Sequence, residues 1–517
     1  MDRQHVTEGT PLFSSPTRRD RHDDSTRERS TRESSTRESS TRDPPVASPR
    51  LGLAMAMAFL LLIMLVEIGA TLVSTPMSQI QEAIICKVHH PDTSEPSTDA
   101  RCKDQGVQSE LSTLQGWELT FGLLPGLLTA VPYGIAADRY GRRVILSLSL
   151  LGFALVQATD AVICWFPGIF PLRSVWLAAM WTLVGGGPFV FSAVVFAIAS
   201  DVSTEAQRSA TFFHLAAAII GGQLVAGPLA FLAMARGPWF SVLLGVGCLS
   251  TAVLVALGFP ETRQKASEND DDDYPPSLDP GPGLSPAALR RAAMSIRRLF
   301  WDNKRLGLLL FSLVFTTLGR YISVILAQYT TKRFHWSWSE AALLSSISAS
   351  VNLLLVAVVL PLVSRLLLSR LGLSPLVKDL CLVKAGLSAL IIGALGIGLA
   401  PNSSLLIASI MVYALGYGYS PAMRSLLTLV AGHDNIGTLF TAMSVLETAG
   451  TLLAGPLMAA TFRLGLAWGE FWIGLPFVSV GAIMTCAAVI VFGIRLQHVG
   501  EGTCKLDTAS DSRDLHV

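Results

Sequence analysis

Apolar runs of about twenty residues recur along this chain, and they limit its fold more than any other feature. A run of that length crosses a hydrocarbon layer of about 30 Å as a helix. Lipid leaves no water for exposed backbone groups, and the alternation of a membrane barrel is absent from the sequence. We therefore predict an all-α membrane protein with twelve transmembrane helices. The predicted spans are 51–74, 114–137, 143–164, 173–199, 210–234, 239–259, 306–328, 340–364, 379–400, 404–429, 438–462 and 471–494.

Composition excludes several classes of protein. Only 15% of the 517 residues are charged and 51% are hydrophobic, whereas a soluble domain carries about 25% charged residues. The formal net charge of +1 gives no electrostatic reason to bind nucleic acid. No phosphate-binding GxxxxGK[ST] segment occurs, and no nucleophile, base and orienting group recur at a plausible depth. We therefore expect neither an enzyme nor a cofactor or metal site.

The spans divide into two sets of six. Residues 1–50 hold ten Arg and nine Asp or Glu, which predicts a disordered tail. Residues 51–259 form the first six-helix bundle and 306–495 the second, with a C-terminal tail at 496–517. The linker 260–305 has an acidic, proline-rich beginning. From Ser285 onward it is predicted to form an amphipathic helix on the inner leaflet.

Lys and Arg placement predicts the orientation. With both termini in the cytosol, the inside segments carry roughly 28 Lys and Arg and the outside loops roughly 8. Cys86 and Cys102 then lie in the one long outside loop, where they either form a disulfide or remain two thiols; the oxidising side favours the disulfide. Asn402 begins a glycosylation sequon so close to the membrane that we expect it to be unmodified.

An internal repeat supports the division into halves. Gly222–Leu229 in span 5 and Gly450–Leu457 in span 11 agree at most positions, 228 residues apart. Glycine permits close helix approach, and proline permits a bend. Such paired helices are expected where two halves rock about a central site. The predicted hinge residues are Gly227, Pro228, Gly455 and Pro456.

The turn between spans 2 and 3 carries the most specific motif. Residues 134–143 read GIAADRYGRR, which resembles the GxxxDRxGRR signature of the major facilitator superfamily. The motif lies in the expected cytosolic turn of a six-plus-six chain, and the resemblance covers residues 51–495. It implies the major facilitator fold, with two pseudo-symmetric six-helix bundles, and transport of a small-molecule substrate across the lipid bilayer.

The same resemblance implies a conformational latch that holds the two halves in the outward-open state. We expect Gly134 to allow close packing and Gly141 to allow a tight turn. Asp138 can face the positive N-terminus of span 11, and the arginines can pair with Asp201 at the inner end of span 4. The latch set is Gly134, Asp138, Arg139, Gly141, Arg142, Arg143 and Asp201.

Shorter segments bear on the type of transporter. Span 6 ends in Pro260-Glu261-Thr262-Arg263, which resembles the ending of many fungal drug-efflux members. Drug:proton antiporters usually carry an Arg in span 4, where this chain has Trp181, and a Gly in span 5, where it has Gln223. The resemblance therefore suggests proton antiport without establishing it.

Charged residues inside the membrane cost at least ~2.5–3.5 kcal/mol each, so they are candidates for function. The deep ones, predicted to act in transport or proton coupling, are Glu67, Arg320, Lys384 and Glu447. Glu67 and Arg320 are predicted to face each other across the cavity, either as a changing pair or as a permanent packing pair. Glu67 or Glu447 is the predicted proton carrier. Glu118 and Asp160 are expected to be merely hydrated at the outer ends.

The predicted cavity is apolar and aromatic with scattered polar groups, which suits a bulky, partly apolar solute. Its candidates include Trp181, Gln328, Asn352 and Tyr417. We predict proton-linked efflux of a drug-like molecule or secondary metabolite by a monomer, in the plasma or vacuolar membrane. The alternatives are a proton-coupled importer of a vitamin-like or anionic solute, and a membrane receptor or scaffold that transports nothing.

Overall fold

The computed structural model describes residues 49–96, 99–202, 208–261, 304–431, 436–499 and 503–508. The predicted amphipathic helix and nearly all of the polar N-terminal tail lie outside these residues. Eleven helices in the described chain are long and apolar enough to cross a membrane. The helix Gln105–Tyr140 has the length but a more polar sequence, and it brings the spans to the twelve that the sequence predicts.

Seven spans are single helices. They are span 1 at Pro49–His89, span 2 at Gln105–Tyr140, span 3 at Arg142–Trp165, span 5 at Arg208–Met234, span 6 at Pro238–Gly258, span 9 at Pro375–Leu399 and span 11 at Ile436–Trp468.

The other five spans are interrupted. Span 4 comprises 3-10 turns at Leu172–Ser174 and Ala179–Leu183 around the α-turn Val175–Ala178, then a helix at Gly187–Val202. Span 7 comprises Lys304–Arg320 and Ile322–Arg333; span 8 comprises Trp338–Leu354 and Leu360–Arg365 with π-turns at Leu355–Val359 and Leu366–Arg370. Span 10 comprises Ser403–Leu415, Gly416–Gly418 and Tyr419–Ala431; span 12 comprises Glu470–Gly474 and Leu475–Gly493.

The interruptions have local causes. Spans 4 and 10 break at glycine clusters: Gly185 and Gly186 have positive φ, and Gly416–Gly418 is a 3-10 turn. In span 8 the π-turn Leu355–Val359 directly precedes Pro361, whose ring removes one helical N–H and widens the preceding turn.

Two helix ends differ most from the prediction. Span 1 continues to His89 instead of ending at residue 74, and span 2 begins at Gln105 instead of 114. Hydropathy misses these turns because they are polar, and their polar side chains find partners elsewhere in the fold, as Glu82 does with Lys103 and Trp338. A 3-10 turn at Ala100–Lys103 joins the two helices. The residues after span 12, predicted as a tail from 496, include antiparallel strands β1 (Ile494–Val499) and β2 (Thr503–Thr508).

Each half has its own apolar core. The core of the first half includes the buried side chains of Leu62, Leu146 and Leu150. The core of the second half includes the buried side chains of Tyr329, Phe462 and Phe477. Large apolar side chains such as Leu232 and Val489 point away from both cores and stay exposed, as expected of surfaces that contact lipid. We call the end of the bundle with the span 1–2 connection the disulfide end. The opposite end, with residues 134–143, is the motif end.

Candidate functional site

The repeat segment Gly222–Leu229 of span 5, which we call the hinge segment, packs on span 8 of the other half. A Cβ on Gly227 would lie 2.9 Å from the carbonyl oxygen of Ala342 and would collide with Ser346. The Ser346 hydroxyl donates a 3.2 Å hydrogen bond to the Gln223 carbonyl oxygen. Glycine at 227 therefore permits a helix approach that no larger residue allows.

The equivalent segment of span 11 packs on span 2 in the same way. A Cβ on Gly116 would lie 2.7 Å from the Gly455 carbonyl oxygen, and a Cβ on Gly455 would collide with the Gly116 carbonyl. The Thr120 hydroxyl donates to the Leu452 carbonyl oxygen at 3.1 Å. The internal repeat thus produces two matched contacts between the halves, each with a glycine and a hydroxyl bonded to backbone.

A carboxylate joins the halves at the disulfide end. Glu82 in span 1 accepts hydrogen bonds from Lys103 Nζ at 2.6 Å and from Gln108 Nε2 at 2.5 Å. It also accepts one from the indole Nε1 of Trp338 in span 8, at 2.7 Å. Glu82 is 5% exposed, so these donors replace water around it. Burial lowers the pKa of Lys103, and the Glu82 charge opposes that shift.

Two neighbouring features reinforce this end. Gln328 in span 7, predicted to line the cavity, is buried and donates to the Gln108 carbonyl oxygen at 2.7 Å, so it lies at this contact between the halves. Cys86 and Cys102 are bonded, with Cα atoms 5.0 Å apart, and tie the end of span 1 to the turn before span 2. The disulfide end is therefore closed by contacts from both halves.

One cavity lies between the halves, and we call it the main cavity because residues of both halves line it. Its volume is about 430 Å³, and spans 1 to 4 form most of its wall while Ser323, Val324 and Ala327 of span 7 complete it. The polar lining side chains of spans 1 to 3 are Ser74, Thr75, Ser78, Gln81, Gln115, Glu118, Gln157 and Asp160.

Glu118 and Asp160, expected to be hydrated at the outer ends, line this cavity together. Gln81 Nε2 donates to Glu118 Oε2 at 3.3 Å. Asp160 is 4% exposed, and its Oδ1 has no hydrogen-bond partner within the described chain. The two carboxylates carry charge of the same sign and line the same cavity, so they repel each other. Sequence reasoning missed them because it gave their depth along a helix but not the face they occupy.

Glu67 lines an adjoining cavity of about 220 Å³. Its carboxylate accepts a 3.1 Å hydrogen bond from Nε2 of Gln223, which belongs to the hinge segment of span 5. The predicted partner of Glu67 was Arg320, whose side chain lies outside what the structure describes. Glu67 thus has an amide neighbour on a helix that contacts the other half.

Glu447 pairs with Arg424, at 3.0 Å from its Nη2. Arg424 lies in the last helix of span 10, Tyr419–Ala431, and its side chain is half-exposed. Glu447 lines a small cavity together with Tyr417, a predicted cavity residue. The second half therefore contains a charged pair joining spans 10 and 11, a few turns before the Gly455 contact.

Three other predicted residues lie away from the main cavity. Lys384 stands over the exposed ring of Phe492, 5.3 Å from its centroid, at the contact between spans 9 and 12. Trp181 is 41% exposed and does not line that cavity. Asn352 is buried in span 8, where its Oδ1 has no hydrogen-bond partner among the described residues.

The motif turn contains a carboxylate that the sequence did not assign. Gly141 has φ of 104°, which strains any residue with a side chain. Glu261, just after span 6, accepts a 2.9 Å hydrogen bond from the backbone N–H of Arg142 and a 3.4 Å bond from that of Arg143. A carboxylate at a helix N-terminus satisfies free N–H groups and complements the helix dipole.

The remaining latch residues are only partly described. Arg139 stacks on the Tyr140 ring, 5.7 Å from its centroid. A Cβ on Gly134 would meet none of the described residues within 4 Å, so the described part of the chain does not pack closely there. The side chains of Asp138 and Asp201 lie outside the described part, and their predicted contacts stay predictions.

The sequence model of the Major Facilitator Superfamily matches residues 55–455. The efflux pump atnC of Emericella nidulans is 31% identical over 441 residues, covering 83% of this chain and 85% of its own. The efflux pump ustT of Aspergillus flavus is 30% identical over 418 residues, covering 78% and 81%. These matches confirm the predicted family.

Solved structures agree on the fold. A bacterial homologue of the human lysosomal transporter Spinster, in an inward-facing and unoccupied conformation, superimposes with a TM-score of 0.59 at 16% identity, covering 86% of this chain and 97% of its own. A D-xylose–proton symporter gives 0.58 at 15% identity, covering 85% and 97%. The predicted twelve-helix fold is confirmed, and at these identities the likeness extends to the fold alone.

Proposed function

The chain belongs to the Major Facilitator Superfamily, and from that premise we propose that it exports a small organic molecule by alternating access, in exchange for protons. The observation that carries the proposal is the matched pair of contacts at Gly227 and Gly455. Both helix pairs, spans 5 and 8 and spans 2 and 11, join the two halves through a close contact at a glycine. Opening and closing such contacts exposes a central site to one side at a time.

The export direction is supported by the relatives. The two fungal proteins described above are named efflux pumps and each aligns with more than three quarters of this chain. We extend that direction to this chain and propose a secondary metabolite as the cargo, in a monomer of the plasma or vacuolar membrane. Both termini and the motif end then face the cytosol, as the Lys and Arg distribution predicts.

Glu67 is the stronger of the two predicted proton carriers. Glu447 is paired with Arg424, so protonating it leaves a guanidinium without its carboxylate. Glu67 is paired with the neutral amide of Gln223, so a proton can come and go without exposing an uncompensated cation. Because Gln223 lies in the hinge segment of span 5, the Glu67 hydrogen bond connects the protonated state to the contact between the halves.

A metabolite comparison tests the proposal against both alternatives. In cells that make this protein, deletion of its gene is expected to retain at least one small organic compound inside and deplete it from the medium. An importer gives the reverse pattern, with the compound left in the medium. If the protein is a receptor or scaffold, the Glu67→Gln variant reverses the metabolite changes of the deletion strain as well as the wild-type protein does. If it is a transporter with Glu67 as the proton carrier, the variant does not reverse them.

A further inference from the structure

We propose that Gln115, Glu118 and Asp160 bind a primary ammonium group of the transported molecule, so that the cargo is an organic cation with an apolar body. The proposal rests on the transport function above and names the substrate class for its cavity. All three side chains line the 430 Å³ cavity between the halves.

Two of the three residues present buried acceptors that lack donors, and the third has a single donor. Asp160 and Gln115 are 4% and 8% exposed, and neither Asp160 Oδ1 nor Gln115 Oε1 has a hydrogen-bond partner in the described chain. Glu118 accepts one hydrogen bond, from Gln81. Buried acceptors without donors are costly and uncommon. An ammonium group carries three N–H donors and no acceptor, which matches this set.

The charges of the cavity point the same way. Two carboxylates line it, and no Lys, Arg or His side chain is among the described lining residues. Uncompensated charge of one sign in a poorly hydrated site is unfavourable, and a bound cation removes the repulsion between Glu118 and Asp160. An anionic cargo, one of the alternatives left open by the sequence, would be repelled from the same wall.

The rest of the wall fits the apolar body of such a molecule. Apolar side chains from four spans complete it: Val73, Met77, Leu119, Leu123, Phe153 and Val324. The volume lies within the range of small-molecule sites, about 300–1,000 Å³. Val324 belongs to the second half and the carboxylates to the first, so a bound molecule contacts both halves that move.

A binding experiment isolates this site from transport. The probe is dansylcadaverine, a fluorescent primary amine, compared with its N-acetyl derivative, which has the same body and no positive charge. Binding to the purified full-length protein in detergent is followed by dansyl fluorescence. We expect the amine to bind at least about tenfold more tightly than the acetylated probe, as charge-assisted hydrogen bonds in a buried site predict.

Variants assign the preference to the three residues. Asp160→Asn and Glu118→Gln are each expected to remove most of the discrimination, and Gln115→Leu to reduce it severalfold, with discrimination scored as the ratio of the affinities for the two probes. Glu110→Gln is the matched control, because it removes a carboxylate from the same helix at the surface. Asp160→Glu keeps the charge and is expected to keep the preference, which separates charge from folding.

Two outcomes overturn the proposal: equal binding of both probes by the wild type, and a preference that survives in the Asp160→Asn/Glu118→Gln double variant. The second outcome would show that the preference for the amine arises from residues other than this pair. Transport is scored separately. Selective amine binding without export of any compound would support the binding site and contradict the proposed function. Export without amine selectivity would support the proposed function and contradict the binding site.

Discussion

The indole nitrogen of Trp338 donates a 2.7 Å hydrogen bond to the carboxylate of Glu82, across the boundary between the two halves. Glu82 belongs to span 1 and Trp338 begins span 8, 256 residues later. Lys103 Nζ bonds the same carboxylate and lies 5.1 Å from the centroid of the Trp338 ring. This cluster holds the two halves together at the disulfide end. Each of its members is therefore expected to control how often that end opens.

The Trp338→Phe variant tests whether the hydrogen bond from Trp338 to Glu82 holds the halves together. It removes one donor to a buried carboxylate, and hydrogen bonds to charged groups contribute about 1.5–3 kcal/mol. We expect amide hydrogen exchange in Ile322–Arg333 to accelerate about tenfold or more. Trp336→Phe is the control, because that indole bonds Ser403 within the second half. Equal exchange rates in the two variants would show that the Glu82 contact does not hold the two halves together at the disulfide end.

Gly227→Ala and Gly455→Ala test the matched contacts. An added methyl group collides with Ser346 in one case and with Gly116 in the other, so the disulfide end can no longer close fully. We expect each variant to lose at least about tenfold of transport, since overpacking costs about 1–3 kcal/mol. Export of the retained compound is measured, with monodisperse elution as the check on folding.

The control for these variants is Gly247→Ala in span 6, where an added Cβ meets nothing within 4 Å. Normal export is expected there. Normal export by the Gly455→Ala variant as well would mean that the close approach of spans 2 and 11 is not needed for transport.

The motif turn depends on Glu261 and Gly141 together. Glu261→Ala removes the cap of span 3 and is expected to cost about 0.5–2 kcal/mol of stability. Gly141→Ala combines a strained φ with displacement of Glu261, whose Cδ would lie 2.7 Å from the new Cβ. Thermal unfolding of both single variants and the double variant measures the coupling. Strict additivity would exclude a shared contact.

The Cys86–Cys102 disulfide closes a short loop, with 16 residues separating the cysteines. Cross-linking a loop of that length stabilises a fold by about 3 kcal/mol. The Cys86→Ser/Cys102→Ser variant is therefore expected to unfold several degrees below the wild type in non-reducing buffer. Cys381→Ser/Cys486→Ser, which replaces two exposed free thiols, is expected to leave the midpoint unchanged. Equal midpoints for all three proteins would contradict the stabilising role.

The sequence predicted the spans well because lipid imposes a length and an apolar character on every crossing helix. It predicted the end of span 1 poorly, since Gln81 and Glu82 are polar and their burial depends on partners far along the chain. Hydropathy places the end before them, whereas Lys103, Gln108 and Trp338 satisfy the Glu82 carboxylate. Such partners become visible only once the helices are packed.

The charged residues show the same limit. Depth along a helix selected Glu67 and Lys384, yet Glu67 lines a cavity and Lys384 stacks on Phe492 away from the main one. Glu118 and Asp160 received little weight because they lie near helix ends, although both face the space between the halves. The packing of glycines such as Gly116 decides which side of a helix faces the space between the halves. A single sequence does not specify that packing.

Proton-driven export through Glu67 is tested most directly with the compound that the deletion strain retains. Its uptake is measured in inside-out vesicles with and without an acidic lumen, for the wild type and for Glu67→Gln. We predict that the acidic lumen accelerates uptake at least about tenfold in the wild type and has no effect in the variant. Wild-type uptake that is indifferent to the pH gradient, or a variant that still responds to it, would contradict the account.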